Sequence, residues 1–249
     1  MAYNQDIDFI INRLGFKKEM VYQNDSRALE KGKDNYKRVL NIYDLKLNSN
    51  DEPFATIVVN TKNRNNKIVI AIGSNQKDPN NKKKKNNFKV KLEPTRLNSL
   101  IASDANYLIQ FDISNVASYD NFDLKNKDKK DIINGILLSL NQLNNTLKYL
   151  NNHQEYYEII LAYGIQGYYL LTTDSDNKGM HKFAKTIMKY GTVIKQFVLP
   201  EGKQYNSSNK SGIYKLYPPH ASYPAIGTYK IIKKIDDKTL KGYLSINND

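Results

Sequence analysis

Apolar positions in the first third of the chain switch from helical spacing to strand spacing. Residues 7–14 carry Ile and Leu at helical spacing and are followed by Gly15, which predicts a short amphipathic helix. Residues 20–38 are polar and irregular, which indicates a loop or an edge strand. Residues 39–47 alternate as a strand does, and residues 54–59 and 67–72 are short runs rich in Ile and Val. The pattern therefore predicts three strands after the helix.

The polar segments between these strands are basic. Residues 60–66 separate two predicted strands and predict the tip of a basic hairpin. Residues 76–87 include four consecutive lysines, which must be solvated because unpaired ammonium groups are costly to bury. Residues 88–92 then alternate as a strand with two lysines outward, residues 94–102 predict a short helix, and residues 107–113 alternate again.

The strongest helical pattern lies in the middle of the chain. Six aliphatic residues recur every three or four positions over about five turns, and Asp131 near the start favours the helix dipole. They are Ile133, Ile136, Leu140, Leu143, Leu147 and Leu150. Such an apolar face must be covered, either by the protein's own sheet or by self-association or an assembly partner.

The rest of the chain predicts a smaller mixed region. Residues 155–162 are ambiguous between helix and strand, residues 168–172 favour a strand, and residues 180–190 predict a helix. A strand over 193–199 and a terminal hairpin over 228–246 follow. The predicted fold is α+β, with an antiparallel sheet in the first half, a long packed central helix and a mixed second half. The chain forms either two domains, 1–119 and 120–249, or one continuous domain.

Charge and composition narrow the function classes. Lys and Arg number 38 against 25 Asp and Glu, a formal charge of +13, which favours acidic partners. Asn, Lys, Ile and Tyr are the residue types that AT-rich coding inflates, so composition also explains part of this charge. The absence of Cys excludes disulfides and thiolate chemistry. With no secretory signal and no apolar stretch of membrane-spanning length, we expect a cytoplasmic or virion-associated protein without a membrane partner.

Basic and aromatic residues occur together around the predicted strands, which indicates nucleic-acid binding because lysines suit phosphates and exposed rings stack on unpaired bases. The expected ring contacts are Tyr43, Tyr107 and Tyr119. The expected phosphate contacts are Lys62, Arg64, Lys67, Lys82, Lys83, Lys84, Lys85, Lys89 and Lys91. The leading hypothesis is non-catalytic binding of nucleic acid, preferring single strands and needing no cofactor or metal.

The strand 88–92 that runs directly into the helix 94–102 supports a family resemblance. Residues 39–103 resemble the strand-strand-strand-strand-helix unit of the Whirly-type single-stranded DNA-binding proteins. The resemblance implies a curved sheet that presents basic and aromatic residues to single strands. It is architectural and carries no residue signature.

Two further hypotheses stay open. A structural or assembly subunit of a virus or phage particle would also need a basic surface. A magnesium-dependent nuclease is a third hypothesis, because Asp44-Leu45-Lys46 resembles the metal-and-lysine half-motif of the PD-(D/E)XK nucleases, with Glu19 and Asp25 or Asp34 as the other acids. Asp123-Leu124-Lys125 with Asp112 is a second match, and such spacings arise readily by chance in a Lys-rich chain.

Overall fold

The computed structural model describes residues 2–29, 38–48, 53–60, 65–75, 104–114, 129–197, 217–219 and 232–245. Within these segments one sheet has eight strands in the order β1-β2-β3-β5-β4-β6-β7-β8. The strands are β1 (Val21–Leu29), β2 (Arg38–Leu45), β3 (Ala55–Asn60), β4 (Ile68–Asn75), β5 (Tyr107–Ser114), β6 (Tyr157–Leu161), β7 (Ile194–Phe197) and β8 (Ile232–Lys234). The helices are α1 (Ala2–Asn12), α2 (Lys129–Asn152), α3 (Gly164–Leu171), α4 (Lys178–Tyr190) and α5 (Asp237–Tyr243).

The sheet is mixed, and the predicted α+β class is confirmed. Strands β1, β2, β3 and β5 run antiparallel in that spatial order, and β7 and β8 are antiparallel as well. Strand β4 is parallel to β5 and to β6, and β6 is parallel to β7. Residues 1–119 and 120–249 thus both contribute strands to a single sheet.

Each strand places alternate side chains on opposite faces of the sheet, as the two-residue period requires. In β4, Ile68, Ile70 and Ile72 join the larger apolar core, whereas Val69 and Ala71 join a second apolar cluster. All five helices contribute side chains to the larger core. We call the face of the larger core the helix face and the face of the second cluster, whose members are also buried, the opposite face.

The apolar stripe of α2 packs against the protein's own sheet and α4. Ile136, Leu140, Leu143, Leu147 and Leu150 are all buried in the larger core, and Ile132 joins them. Ile133 is only partly buried. Within the chain these side chains are therefore covered by the protein's own sheet and by α4, while self-association or an assembly partner at this stripe stays a prediction. No helix among the described residues is long and apolar enough to cross a membrane.

Helix α1 is anchored to the sheet by polar contacts as well as by its apolar side. The carboxylate of Asp6 accepts hydrogen bonds from Asn41 Nδ2 (2.6 Å) and from Tyr43 Oη (3.0 Å). Phe9 stacks on Tyr107 with ring centroids 3.4 Å apart. Tyr43 therefore serves as a buried anchor for the first helix.

Several local predictions are wrong. Strands β3 and β4 do not pair, because β5 lies between them, so residues 60–66 are not a hairpin tip. By contrast, the interpretation of residues 20–38 as a loop or an edge agrees with the structure, which places the edge strand β1 there. Residues 168–172 lie mostly in α3, where buried Gly167, Leu170 and Leu171 follow helical spacing.

The predicted terminal hairpin is replaced by a short strand and a helix. Asp236 caps α5, and its side chain accepts a hydrogen bond from the backbone N–H of Thr239 at 2.9 Å. Asp is a preferred N-cap residue because its side chain accepts hydrogen bonds from the unpaired N–H groups of the first helical turn. The sequence Asp236-Asp237-Lys238-Thr239 therefore begins a helix instead of a turn.

Candidate nucleic-acid interface

Lys67 is held in place by asparagine side chains. Asn66 has a left-handed φ of 52°, which Asn tolerates better than most residues. Asn65 Oδ1 accepts a hydrogen bond from the backbone N–H of Lys67 at 3.0 Å, and Asn106 Oδ1 accepts one from Asn66 at 3.0 Å. Asn106 in turn donates to the carbonyl of Asn60 at 3.0 Å. Lys67 therefore enters β4 from an ordered turn.

The side chains of Lys67 and Lys195 meet at one carboxylate on the opposite face. Lys195 Nζ donates to Glu158 Oε1 at 2.8 Å, and Lys67 Nζ lies 3.0 Å from Glu158 Oε2. The side chain of Glu158 is 7% exposed, while those of Lys67 and Lys195 are 26% and 22% exposed. Two partly exposed lysine side chains thus share a single buried negative charge.

The two lysines keep Glu158 ionised. Burial by itself would raise the pKa of the Glu158 carboxyl, but hydrogen bonds and charges from Lys195 and Lys67 outweigh burial and lower the pKa below its usual value. Because only one acid neutralises two cations, the group keeps a net positive charge at neutral pH. Such a pair of fixed ammonium groups can accept a phosphate without first being ordered.

An exposed ring and a further lysine lie beside this group. Lys67 and Tyr156 directly precede Ile68 and Tyr157, which pair across β4 and β6. Tyr156 is 64% exposed and directly precedes β6, and two-residue alternation continued back from Glu158 would put it on the same side of the sheet as Glu158. Lys234 pairs with Lys195 across β7 and β8 and is exposed. We call Lys67, Tyr156, Glu158, Lys195 and Lys234 the sheet-face cluster.

Only part of the predicted interface falls on described residues. Lys67 joins the cluster, whereas Tyr43 is completely buried, so the prediction of an exposed ring there is wrong. Tyr107 is half-buried against Phe9, and burial raises its pKa above the usual value, with the Asp6 charge adding to the effect. The other predicted contacts lie outside the described residues: Lys62, Arg64, Lys82, Lys83, Lys84, Lys85, Lys89, Lys91 and Tyr119.

Three residues of the cluster are not among the contacts that the sequence predicts: Tyr156, Lys195 and Lys234. Lys195 and Lys234 are far from the lysine-rich loops in sequence, and only the pairing of β6, β7 and β8 brings them near Lys67. The one sequence feature that points to this site is the run Tyr156-Tyr157-Glu158, which begins an apolar strand. Because the sequence leaves residues 155–162 ambiguous between helix and strand, this run does not show which of the two tyrosines is exposed.

Only some acids of the nuclease hypothesis lie on described residues: Asp25 on β1 pairs with Ile42, two residues before Asp44 on β2, whereas Asp34 and Asp123 lie outside the described residues. Asp44 accepts a hydrogen bond from Thr56 Oγ1 at 3.2 Å. Thr56 in turn pairs with Gln110 on β5, two residues before Asp112. Among the described residues no group of three or more His, Asp or Glu side chains could hold a metal ion.

The sheet has a topological switch point between β4 and β6, because the chain moves from β4 to β5 on one side and then crosses to β6 on the other. Ligands of parallel sheets bind at the carboxyl ends of the strands at such a point. Here the described residues at these ends are buried, including Ser74, Ala162 and Tyr163. The Tyr163 hydroxyl donates to the carbonyl of Tyr243 at 3.1 Å, so this position is packed as core.

No family model, curated protein or solved structure matches this chain. The strand 88–92 and the helix 94–102, on which the resemblance to the Whirly-type unit depends, lie outside the described residues. That resemblance therefore stays a prediction.

The Glu158 group predicts a specific pH dependence of stability. Because the folded-state pKa of Glu158 is lowered from 4.5, its contribution is present above that pH and is lost as pH falls through the folded-state value. We expect Glu158→Gln to lower the free energy of unfolding by about 1–3 kcal/mol at pH 7, since two lysines lose a charged acceptor. Urea unfolding should show this difference shrinking below pH 4.5. A difference that is constant with pH would show that the charge of Glu158 does not contribute.

Proposed function

We propose that this protein binds nucleic acid without cleaving it, prefers single strands, and uses the sheet-face cluster to do so. The supporting observation is the pair of ammonium groups at 2.8 and 3.0 Å from one buried carboxylate, at the end of the sheet where the ring of Tyr156 is exposed. Phosphate contacts supply affinity that does not depend on sequence, and stacking on a ring requires an unpaired base.

Each residue of the cluster has a distinct part in this proposal. Glu158 positions the two lysine side chains and restricts their conformations by pairing with both ammonium groups. Lys67 and Lys195 contact neighbouring phosphates, and Lys234 extends the positive charge to the edge strand β8. Tyr156 stacks on a base, which a duplex would keep inside its own base stack.

The ring of Tyr156 gives the sharpest test of single-strand preference. We expect Tyr156→Ala to weaken binding of a labelled oligothymidine by roughly 5-fold to 100-fold, because stacking contributes about 1–3 kcal/mol per base. Binding of a duplex of the same length should change less than twofold. The readout is fluorescence anisotropy with both ligands at one low salt concentration.

Tyr169 on α3 provides a matched control, because its ring is 47% exposed and α3 packs on the helix face. Tyr169→Ala should leave both affinities unchanged. Equal losses in the two variants, or an equal loss for single strands and duplex in Tyr156→Ala, would contradict stacking at this position. Adding magnesium should leave the oligonucleotide intact, and cleavage that depends on Asp44 would overturn the non-catalytic assignment.

A further inference from the structure

A second basic surface lies on α4. Its lysines, Lys178, Lys182, Lys185 and Lys189, recur at spacings of four, three and four residues and therefore share one side of the helix. The opposite side packs into the larger core through Met180, Phe183 and Ile187. The stripe is roughly 16 Å long at 1.5 Å per residue.

Contacts between helices extend this stripe onto α2. Lys182 Nζ donates to Asn141 Oδ1, and Thr186 Oγ1 donates to Asn144 Oδ1 at 3.4 Å, so the two helices run side by side in the same direction. Lys148, exposed one turn beyond Asn144, lies on the same surface. We call Lys148, Lys182, Lys185 and Lys189 the helix-face patch.

The helix-face patch contains no negative charge of its own. Helix α4 has no acidic residue, and α2 has none after Asp131. Lys178 is left out of the patch because its ammonium group is 3.0 Å from Asp176 and 3.9 Å from Asp174. The neighbouring exposed side chains of α2 are amides such as Asn141 and Asn145, which donate to phosphate oxygens as well.

The two basic surfaces point away from each other. Lys195 alternates with Ile194, which is in the larger core, and shares the opposite face with Phe197 of the second cluster. Helix α4 covers the helix face. The sheet therefore separates the sheet-face cluster from the helix-face patch, and one short oligonucleotide cannot lie straight across both.

We propose that one copy of the protein binds two segments of nucleic acid at once, the first on the sheet-face cluster and the second on the helix-face patch, and so bridges them. This inference rests on the proposed function. The patch fits a phosphate backbone better than a lipid surface, because an interfacial helix exposes its apolar side to lipid and α4 buries it. Among the large apolar side chains of α4, only that of Met188 is exposed.

Capture of a second oligonucleotide tests the bridge. A biotinylated oligothymidine of about ten nucleotides is bound to beads and saturated with the full-length protein, and a fluorescent oligothymidine of the same length is then added. We expect the wild type to retain the fluorescent strand. The variant Lys182→Gln/Lys185→Gln/Lys189→Gln should bind the first strand within about threefold of wild type and capture at least tenfold less of the second.

The variant Lys17→Gln/Lys18→Gln/Lys238→Gln is the charge-matched control, since these three lysines are exposed and belong to neither surface. It should capture like the wild type. Light scattering of all three proteins at the assay concentration should give one mass. Capture by the α4 variant equal to wild type, or equal loss in the control, would overturn the bridge, as would wild-type protein that binds the first strand without capturing the second. Failure to bind even the first strand would instead remove the proposed function.

Discussion

Replacing Leu140 with Asp is expected to unfold the protein. Leu140 is 2% exposed and lies in the centre of the α2 stripe, packed into the larger core. An unpaired carboxylate there costs several kcal/mol, and a domain of this kind is stable by only about 5–15 kcal/mol in total. Circular dichroism should show loss of helix and sheet signals together, because the stripe packs on the sheet that contains every described strand.

Asn145→Asp is the matched control for this substitution. Asn145 is exposed on the same helix five residues away, so the same new charge meets solvent there. The control should keep its circular dichroism spectrum and unfold within about 0.5 kcal/mol of the wild type. A folded Leu140→Asp protein of smaller mass than its parent, measured by light scattering, would instead show that the stripe had been an interface between copies.

The second large effect concerns the sheet-face cluster. We expect Lys67→Gln/Glu158→Gln/Lys195→Gln to weaken single-strand binding at low salt by about tenfold or more, because two phosphate-contacting cations are lost. Replacing the acid together with its two lysines leaves no buried carboxylate unpaired, so the variant should remain folded. Fluorescence anisotropy measures the affinity, and circular dichroism checks the fold.

The adjacent residues Lys17, Lys18 and Glu19 offer a control with the same charge change. All three are exposed on a turn after α1. Lys17→Gln/Lys18→Gln/Glu19→Gln should bind within about twofold of the wild type. A loss equal to that of the cluster variant would mean that affinity follows total charge and that the sheet-face cluster has no special part.

The sequence predicts most elements because their apolar spacing is strong and local. The α2 stripe and the alternating β5 segment need no tertiary information, and the structure confirms both. The strand predicted over residues 168–172 is wrong because a short run of Tyr and Leu fits a strand as well as a helix. The helix that forms there packs closely at Gly167, where an added Cβ would lie 2.4 Å from Tyr163 Cβ and 2.9 Å from Ile113.

Strand order and the binding cluster depend on contacts that sequence spacing does not report. Strand β5 inserts between β3 and β4, which removes the expected hairpin, and β4 thereby becomes the neighbour of β6. That exchange brings Lys67 to Glu158, 91 positions along the chain, and Glu158 to Lys195. Tyr43 follows strand alternation correctly, but the pattern alone does not show that α1 covers its ring.

The dependence of single-strand affinity on salt tests the central claim most directly. For the wild-type protein, the logarithm of the association constant for oligothymidine should fall linearly with the logarithm of salt concentration, by about 0.7 for each phosphate neutralised. The variant with Lys67, Glu158 and Lys195 all replaced by Gln should show a dependence weaker by roughly one to two. Wild-type binding that is absent at low salt, or a salt dependence that the cluster variant shares unchanged, would contradict nucleic-acid binding by this surface.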